Sequence, residues 1–94
     1  MVKPYVDEQT VYYDDGSREF VREFSSDVES SELIWHRDRD DRLVHVMEGS
    51  GWKLQMDNEL PQTLKVGQVY EIPKMVYHRL IKGYGSLVVK IQEI

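Results

Sequence analysis

The chain has 94 residues and a formal net charge of -5 at pH 7, with 12 Lys plus Arg against 17 Asp plus Glu. That length allows one small core. The acidic balance excludes a nucleic-acid binder, which needs a basic face to neutralise phosphates, and likewise a binder of anionic membrane surfaces. There is no cysteine, which excludes disulfides, thiolate nucleophiles and zinc–thiolate centres. No run approaches the roughly 18 apolar residues of a membrane-crossing helix. Met1-Val2-Lys3-Pro4-Tyr5 lacks the apolar run of a signal peptide, so a cytoplasmic setting is expected.

In chain order, Val11-Tyr12-Tyr13 is aromatic and β-branched, and Asp15-Gly16 after it is a hairpin signal. Arg18 to Phe24 then reads as the return strand, with Phe20 and Phe24 among charges. Ser25 to Ser31 is polar and reads as a loop. Glu32-Leu33-Ile34-Trp35-His36 is expected to be a third strand. Arg42 to Met47 is a fourth, with Val44 and Val46 on one face and Leu43, His45 and Met47 on the other. Gly49-Ser50-Gly51 breaks the pattern, and Trp52-Lys53-Leu54-Gln55-Met56 alternates again. Asp57-Asn58 marks a turn, and Pro61 is placed outside regular pairing. Leu64 to Val66, Val69 to Ile72, His78 to Ile81 and Leu87 to Ile91 complete a series of short strands, with a turn at Gly83-Tyr84-Gly85. No long helix is expected. Such close spacing of strands and turns is the pattern of a sandwich or barrel.

Two motifs lie in this series. The segment Gly67-Gln68-Val69-Tyr70-Glu71-Ile72-Pro73-Lys74-Met75-Val76-Tyr77-His78 fits G-x5-P-x-G-x2-H at Gly67, Pro73 and His78. Met75 stands in place of the second glycine, and Lys82 in place of the Asn that follows. Upstream, G-x5-H-x-H-x(3,4)-E-x6-G ends on Gly49. Counting back, its Glu falls on Arg42, its two His on His36 and Asp38, and its opening glycine on Ser30. With these motifs in this order, residues 32 to 94 resemble the cupin superfamily. The resemblance implies an all-β fold, the RmlC-like double-stranded β-helix or jelly-roll-like barrel. It implies one domain over 1–94, with N-terminal strands in 1–31 and the motif region in 32–94, and pairing as a homodimer. Gly49 and Gly67 are expected at sharp turns where a Cβ would clash, and Pro73 where a strand ends.

The same resemblance points to a polar pocket containing His36 and His78. In metal-binding cupins these motif positions supply three His and one Glu to a divalent ion. Here His36, Asp38 and His78 offer a two-histidine, one-carboxylate set suited to iron, manganese, nickel or zinc. Arg42 has no acceptor atom and cannot ligate. It is read either as the ion-pair partner of Asp38 or as a clamp for an anionic ligand. Trp52, Gln55 and Tyr77 are candidate pocket walls, and His45 alternates onto the opposite face. The charged run Arg37 to Arg42 reads mostly as a solvated loop. Two functions follow. One is a metal-dependent enzyme acting on a small polar or anionic molecule. The alternative is a non-catalytic ligand-binding module or structural dimer without metal.

Overall fold

The structure, a computed structural model, describes residues 3–94; Met1 and Val2, which open the stretch read as lacking a signal peptide, lie outside the described residues. Val6–Tyr12 (β1) and Arg18–Phe24 (β2) form the first hairpin. Its loop is closed by the Tyr13 N–H donating to the Ser17 carbonyl at 2.9 Å, while the Asp15 carboxylate accepts the Ser17 N–H at 2.9 Å. That is the chemistry that suits Asp-Gly to a turn. The strands that follow are Arg42–Ser50 (β3), Lys53–Met56 (β4), Gln62–Thr63 (β5), Val69–Ile72 (β6), His78–Ile81 (β7) and Tyr84–Glu93 (β8).

One antiparallel sheet has the order β1-β2-β8-β3-β6, and a smaller one the order β5-β4-β7. After β3 the chain crosses to the small sheet for β4 and β5, returns for β6, crosses again for β7 and returns for β8. That alternation winds the chain into a double-stranded β-helix. The all-β expectation holds; among the described residues the only helical piece is a single 3-10 turn, Ser30–Glu32.

Register across the large sheet places residues in rows on its inner face. Arg18, Glu93 and Arg42 are neighbours on β2, β8 and β3; Phe20, Ile91 and Val44 make the next row, then Arg22, Val89 and Val46, then Phe24 and Leu87. Both ends of β2's inner face are thus set by alternation, Arg-Phe-Arg-Phe, with Phe20, Arg22 and Phe24 buried. Arg22 is tolerated inside because Asp7, directly opposite on β1, accepts its Nε and Nη2 at 2.6 and 2.9 Å. Its guanidinium also lies over Tyr5, 3.6 Å from the ring centroid. Tyr5 itself packs edge-on against Phe24, centroids 5.6 Å apart. Trp52, with no exposed area, stacks tilted on Phe24 and donates its Nε1–H to the Gly85 carbonyl at 3.3 Å.

Several expected boundaries differ from the observed ones. Glu32 to His36 is not a strand. The Glu32 N–H donates to the Glu29 carbonyl and the Glu32 carboxylate accepts the Glu29 N–H, both at 2.9 Å, which curls the chain before it can extend. Only His36 then meets a strand, through a two-bond bridge with His78. The strand expected at Leu64 to Val66 lies instead at Gln62–Thr63, although the Leu64 N–H still bonds the Trp52 carbonyl at 2.8 Å. Tyr84 and Gly85 are not in a turn but open β8. Gly49 lies within β3 rather than at a turn, and an added Cβ there would meet Leu87 Cδ1 at 2.8 Å. Gly67 does sit in a turn, yet a Cβ would meet nothing; its requirement is the backbone, at φ +86°.

Met75 explains its own departure from the motif. It occupies φ +64°, the left-handed conformation that the motif's glycine adopts without strain, and its side chain is 48% exposed. Little packing opposes the backbone preference there. Met75→Gly is therefore expected to stabilise the fold by about 0.5–1 kcal/mol, raising the midpoint of urea unfolding. A lowered midpoint would mean that the thioether's packing outweighs the strain.

Candidate metal centre and cavity

The segment 36–41 is irregular, yet it is tied at four points. His36 exchanges backbone hydrogen bonds with His78 at 3.0 and 2.8 Å, and the Asp38 carbonyl accepts the Met75 N–H at 2.7 Å. The Asp41 carboxylate accepts the Lys74 N–H at 2.8 Å, and its carbonyl accepts the Ile94 N–H at 3.0 Å. These bonds carry His36 and Asp38 onto the start of β7, where His78 sits. The His36 and His78 ring centroids are 4.3 Å apart. One ligand-type atom from each of His36, Asp38 and His78 lies within 4.8 Å of the others. His36 is exposed, Asp38 half-buried and His78 buried.

The hydrogen bonds assign the ring nitrogens. His36 Nδ1 lies 3.1 Å from the Ile34 carbonyl, and His78 Nδ1 lies 2.9 Å from the Val76 carbonyl. A carbonyl only accepts, so each Nδ1 carries the proton, and in the neutral rings each Nε2 presents a lone pair. Burial holds His78 below the usual imidazole range; His36 and Arg42 push the same way, against the Val76 carbonyl and Asp38. His78 Nε2 faces Asp38 Oδ2 at 3.3 Å. Asp38 Oδ2 is buried and accepts no hydrogen bond: Arg42 Nη1, also at 3.3 Å, lacks the direction for one. With His78 neutral, two acceptors face each other here. A buried oxygen without a hydrogen bond beside two imidazoles is a donor set that a divalent transition ion satisfies.

Arg42 does not join that set. Its Nε and Nη2 donate to Glu93 Oε2 at 3.0 and 2.6 Å. Glu93 also pairs with Arg18 across β2, completing an Arg–Glu–Arg row. Burial alone would raise the Glu93 carboxyl, but the two guanidiniums outweigh it and hold the group below the ordinary glutamate range. Glu93 has no motif to mark it. Its signal is alternation along β8, which continues from Leu87, Val89 and Ile91 onto residue 93.

Behind the centre the barrel is hollow. A cavity of about 730 Å³ runs between the sheets, and Arg42, His36, Asp38 and His78 line it at one place. Eight of the thirteen buried core residues form its walls, among them Phe24, Leu54, Ile72 and Leu87. Lys3, Arg22, Ser31 and Glu32 also line it, so where a polar pocket was expected the walls are mostly apolar with polar groups at more than one place. Trp52, Gln55 and Tyr77 are not among its walls. Trp52 belongs to the solid part of the core. Gln55 donates to the Glu59 carbonyl at 3.0 Å and accepts from Arg79 at 2.9 Å. Tyr77 is half in solvent under the Arg37 guanidinium. His45 points to the outer face, with Nε2 2.9 Å from Gln92 Oε1.

The winding of the two sheets defines the fold as a double-stranded β-helix. No protein-family model and no curated protein matches the sequence. Among solved structures, the chain is similar to an RmlC-like cupin family protein with a double-stranded β-helix fold from Methanocaldococcus jannaschii. They share 15% identity at a TM-score of 0.75, covering 98% of this chain and 81% of that one. Fe(II)-HppE with the alternative substrate (S)-1-HPP is 19% identical at a TM-score of 0.75, covering 99% of this chain and 51% of that one. A chain from the structures of the DMSP lyases RdDddP and RnDddQII is 17% identical at 0.70, covering 83% and 38%. This chain spans about half of HppE and under half of the lyase chain. At these identities the likeness establishes the fold. Among the described residues, no helix is long and apolar enough to cross a membrane.

Proposed function

We propose that this chain is a metal-dependent cupin in which His36, Asp38 and His78 hold one divalent transition ion at the polar end of the cavity. The observation that carries the reading is the buried Asp38 Oδ2, which accepts no hydrogen bond and faces the lone pair of His78 Nε2 at 3.3 Å. The facial two-histidine, one-carboxylate set suits iron(II), manganese, nickel or zinc, and Fe(II)-HppE is an iron-bound example of the fold. A bound ion would supply a Lewis acid to a molecule in the cavity. The protein's own groups do the rest. The Ile34 and Val76 carbonyls fix the imidazole tautomers, the Asp38–Met75 bond fixes the Asp38 backbone, and Glu93 takes up the Nε and Nη2 of Arg42. A metal-free binding module is the second reading, favoured by Arg42 Nη1 lying 3.3 Å from Asp38 Oδ2.

Protein purified without an affinity tag, stripped and reloaded, is expected to take up one ion. At about a hundred times its Kd the ion is expected to raise the unfolding temperature by about 10 °C or more. His36→Ala, Asp38→Asn and His78→Ala are each expected to lower metal affinity more than about a hundredfold, since losing even a supporting contact costs 10–100-fold. No uptake and no thermal shift with any of the four metals would leave the metal-free reading.

A further inference from the structure

The cavity walls carry more information than the ligand set. We infer that the molecule it takes is a hydrophobic carboxylic acid, with its carboxylate at the His36–Asp38–His78 end and its hydrocarbon body along the barrel toward Leu87 and Phe24; the head-group half of this rests on the proposed metal centre.

The body follows from the lining. From the Glu93 row to the Leu87 row is six residues along β8, about 20 Å at ~3.3 Å per residue. Over that length the large sheet contributes Val44, Ile72, Leu87, Val89 and Ile91, and the small sheet contributes Leu54 and Leu80. A sugar or a polyol placed there would leave hydroxyls without partners against aliphatic walls, losing its hydration for nothing. A hydrocarbon chain loses nothing and leaves water. Arg22, a charged wall within this stretch, already has both guanidinium edges on Asp7 and its face on Tyr5. Lys3 and Glu32 also line the cavity, but both are solvent-exposed and keep their hydration. A volume of about 730 Å³ lies in the range of drug-sized ligand pockets.

The head follows from charge. Arg18 and Arg42 share the single carboxylate of Glu93, and Asp38 is the only other acid facing Arg42. With a divalent ion on the histidines and Asp38, that end carries two formal positive charges in excess. An anion at that end offsets them, and a neutral head does not. One polar end and one apolar body together describe an alkanoate or arylalkanoate.

The test is calorimetric titration of the whole chain, loaded with manganese, against straight-chain acids from butanoate to decanoate. The matched 1-alkanols and gluconate, a polar acid, serve as comparisons. The acids are expected to tighten about fourfold per methylene until the barrel is filled. Octanoate is expected to bind roughly tenfold or more tighter than 1-octanol, because only the acid carries the charge. Leu80→Trp and Val89→Phe fill the chamber from opposite sheets, and either one that folds is expected to abolish the chain-length dependence while metal content stays unchanged. An affinity that does not vary with chain length, or gluconate binding tighter than octanoate, overturns the inference. Metal uptake is read separately. Protein that takes no ion yet shows the chain-length series loses the metal centre and keeps the hydrophobic acid; protein that takes the ion and shows no series does the reverse.

Discussion

Glu93→Gln is expected to lower the stability of the protein by about 3 kcal/mol at pH 7, near the low end for removing one partner from a buried pair. Glu93 is the single acid between Arg18 and Arg42, and its side chain is only 11% exposed, against 10% for Arg42. The amide keeps the shape but not the charge. It would leave Arg42 with Asp38 as its nearest anion, at 3.3 Å, and two guanidiniums without a shared counter-charge. Arg18 is one-third exposed and recovers part of its hydration, which holds the figure below the upper end of that range. In a chain of this size, such a loss lowers the unfolding temperature by roughly 10–20 °C.

The pH dependence of that difference carries a definite sign. The Glu93 carboxyl is held below the ordinary glutamate value of 4.5 in the folded state. Its contribution is therefore complete above the unfolded-state value and is lost as pH falls through the lowered folded value. Parent and variant are expected to differ by a constant amount from pH 7 down to about 4.5, and to converge below it. Urea unfolding at intervals between pH 3 and 7 measures this. Equal midpoints at pH 7 would show that the Arg–Glu–Arg row contributes nothing net.

How much of this was legible beforehand differs residue by residue, and the reasons are physical. The hairpin at Asp15-Gly16 and the spacing Gly67, Pro73, His78 are local signals, and local signals survive folding. The pairing of His36 with His78 came from a resemblance, and it holds although the expected strand at Glu32 to His36 does not form. Leu33-Ile34-Trp35 looks like a strand because it is apolar, but Ile34 is 61% exposed and nothing pairs with it. The Glu29–Glu32 turn, written in the polar residues just before it, decides the geometry. Glu93 and Arg22 were missed because their partners are cross-strand neighbours with no sequence proximity. Alternation alone places both on the inner face, once a charged residue is allowed inside with a partner opposite. A pocket at His36 and His78 was expected, but its apolar walls were not legible, for a different reason. The walls are the same Val, Leu and Ile that any core contains, and whether such residues fill a space or surround one is not encoded in their spacing.

That difference between filled and hollow core predicts which truncations matter most. Trp52→Ala is expected to cost about 4 kcal/mol or more, close to the whole stability of a small domain. Trp52 is fully buried, stacks on Phe24 with centroids 6.0 Å apart and has Leu87 nearby across Gly49, so the loss leaves a void ringed by packed side chains. Phe20, 1% exposed beneath the Arg18 and Arg22 guanidiniums, belongs to the same class. Leu54 and Ile91 are nearly as buried, yet each has the chamber on one side. A wall atom facing empty or water-filled space has fewer partners to lose, and truncation there enlarges an existing cavity instead of opening a new one. Leu54→Ala and Ile91→Ala are accordingly expected at the low end of their range, about 2 kcal/mol. Urea unfolding followed by far-ultraviolet circular dichroism ranks the four variants. If the wall positions prove as costly as Trp52 and Phe20, the barrel is packed solid in solution. The ranking also has a ligand-linked form. A molecule that fills the chamber supplies the wall residues with the partners they lack, so its stabilisation is expected to shrink in Ile91→Ala relative to the parent.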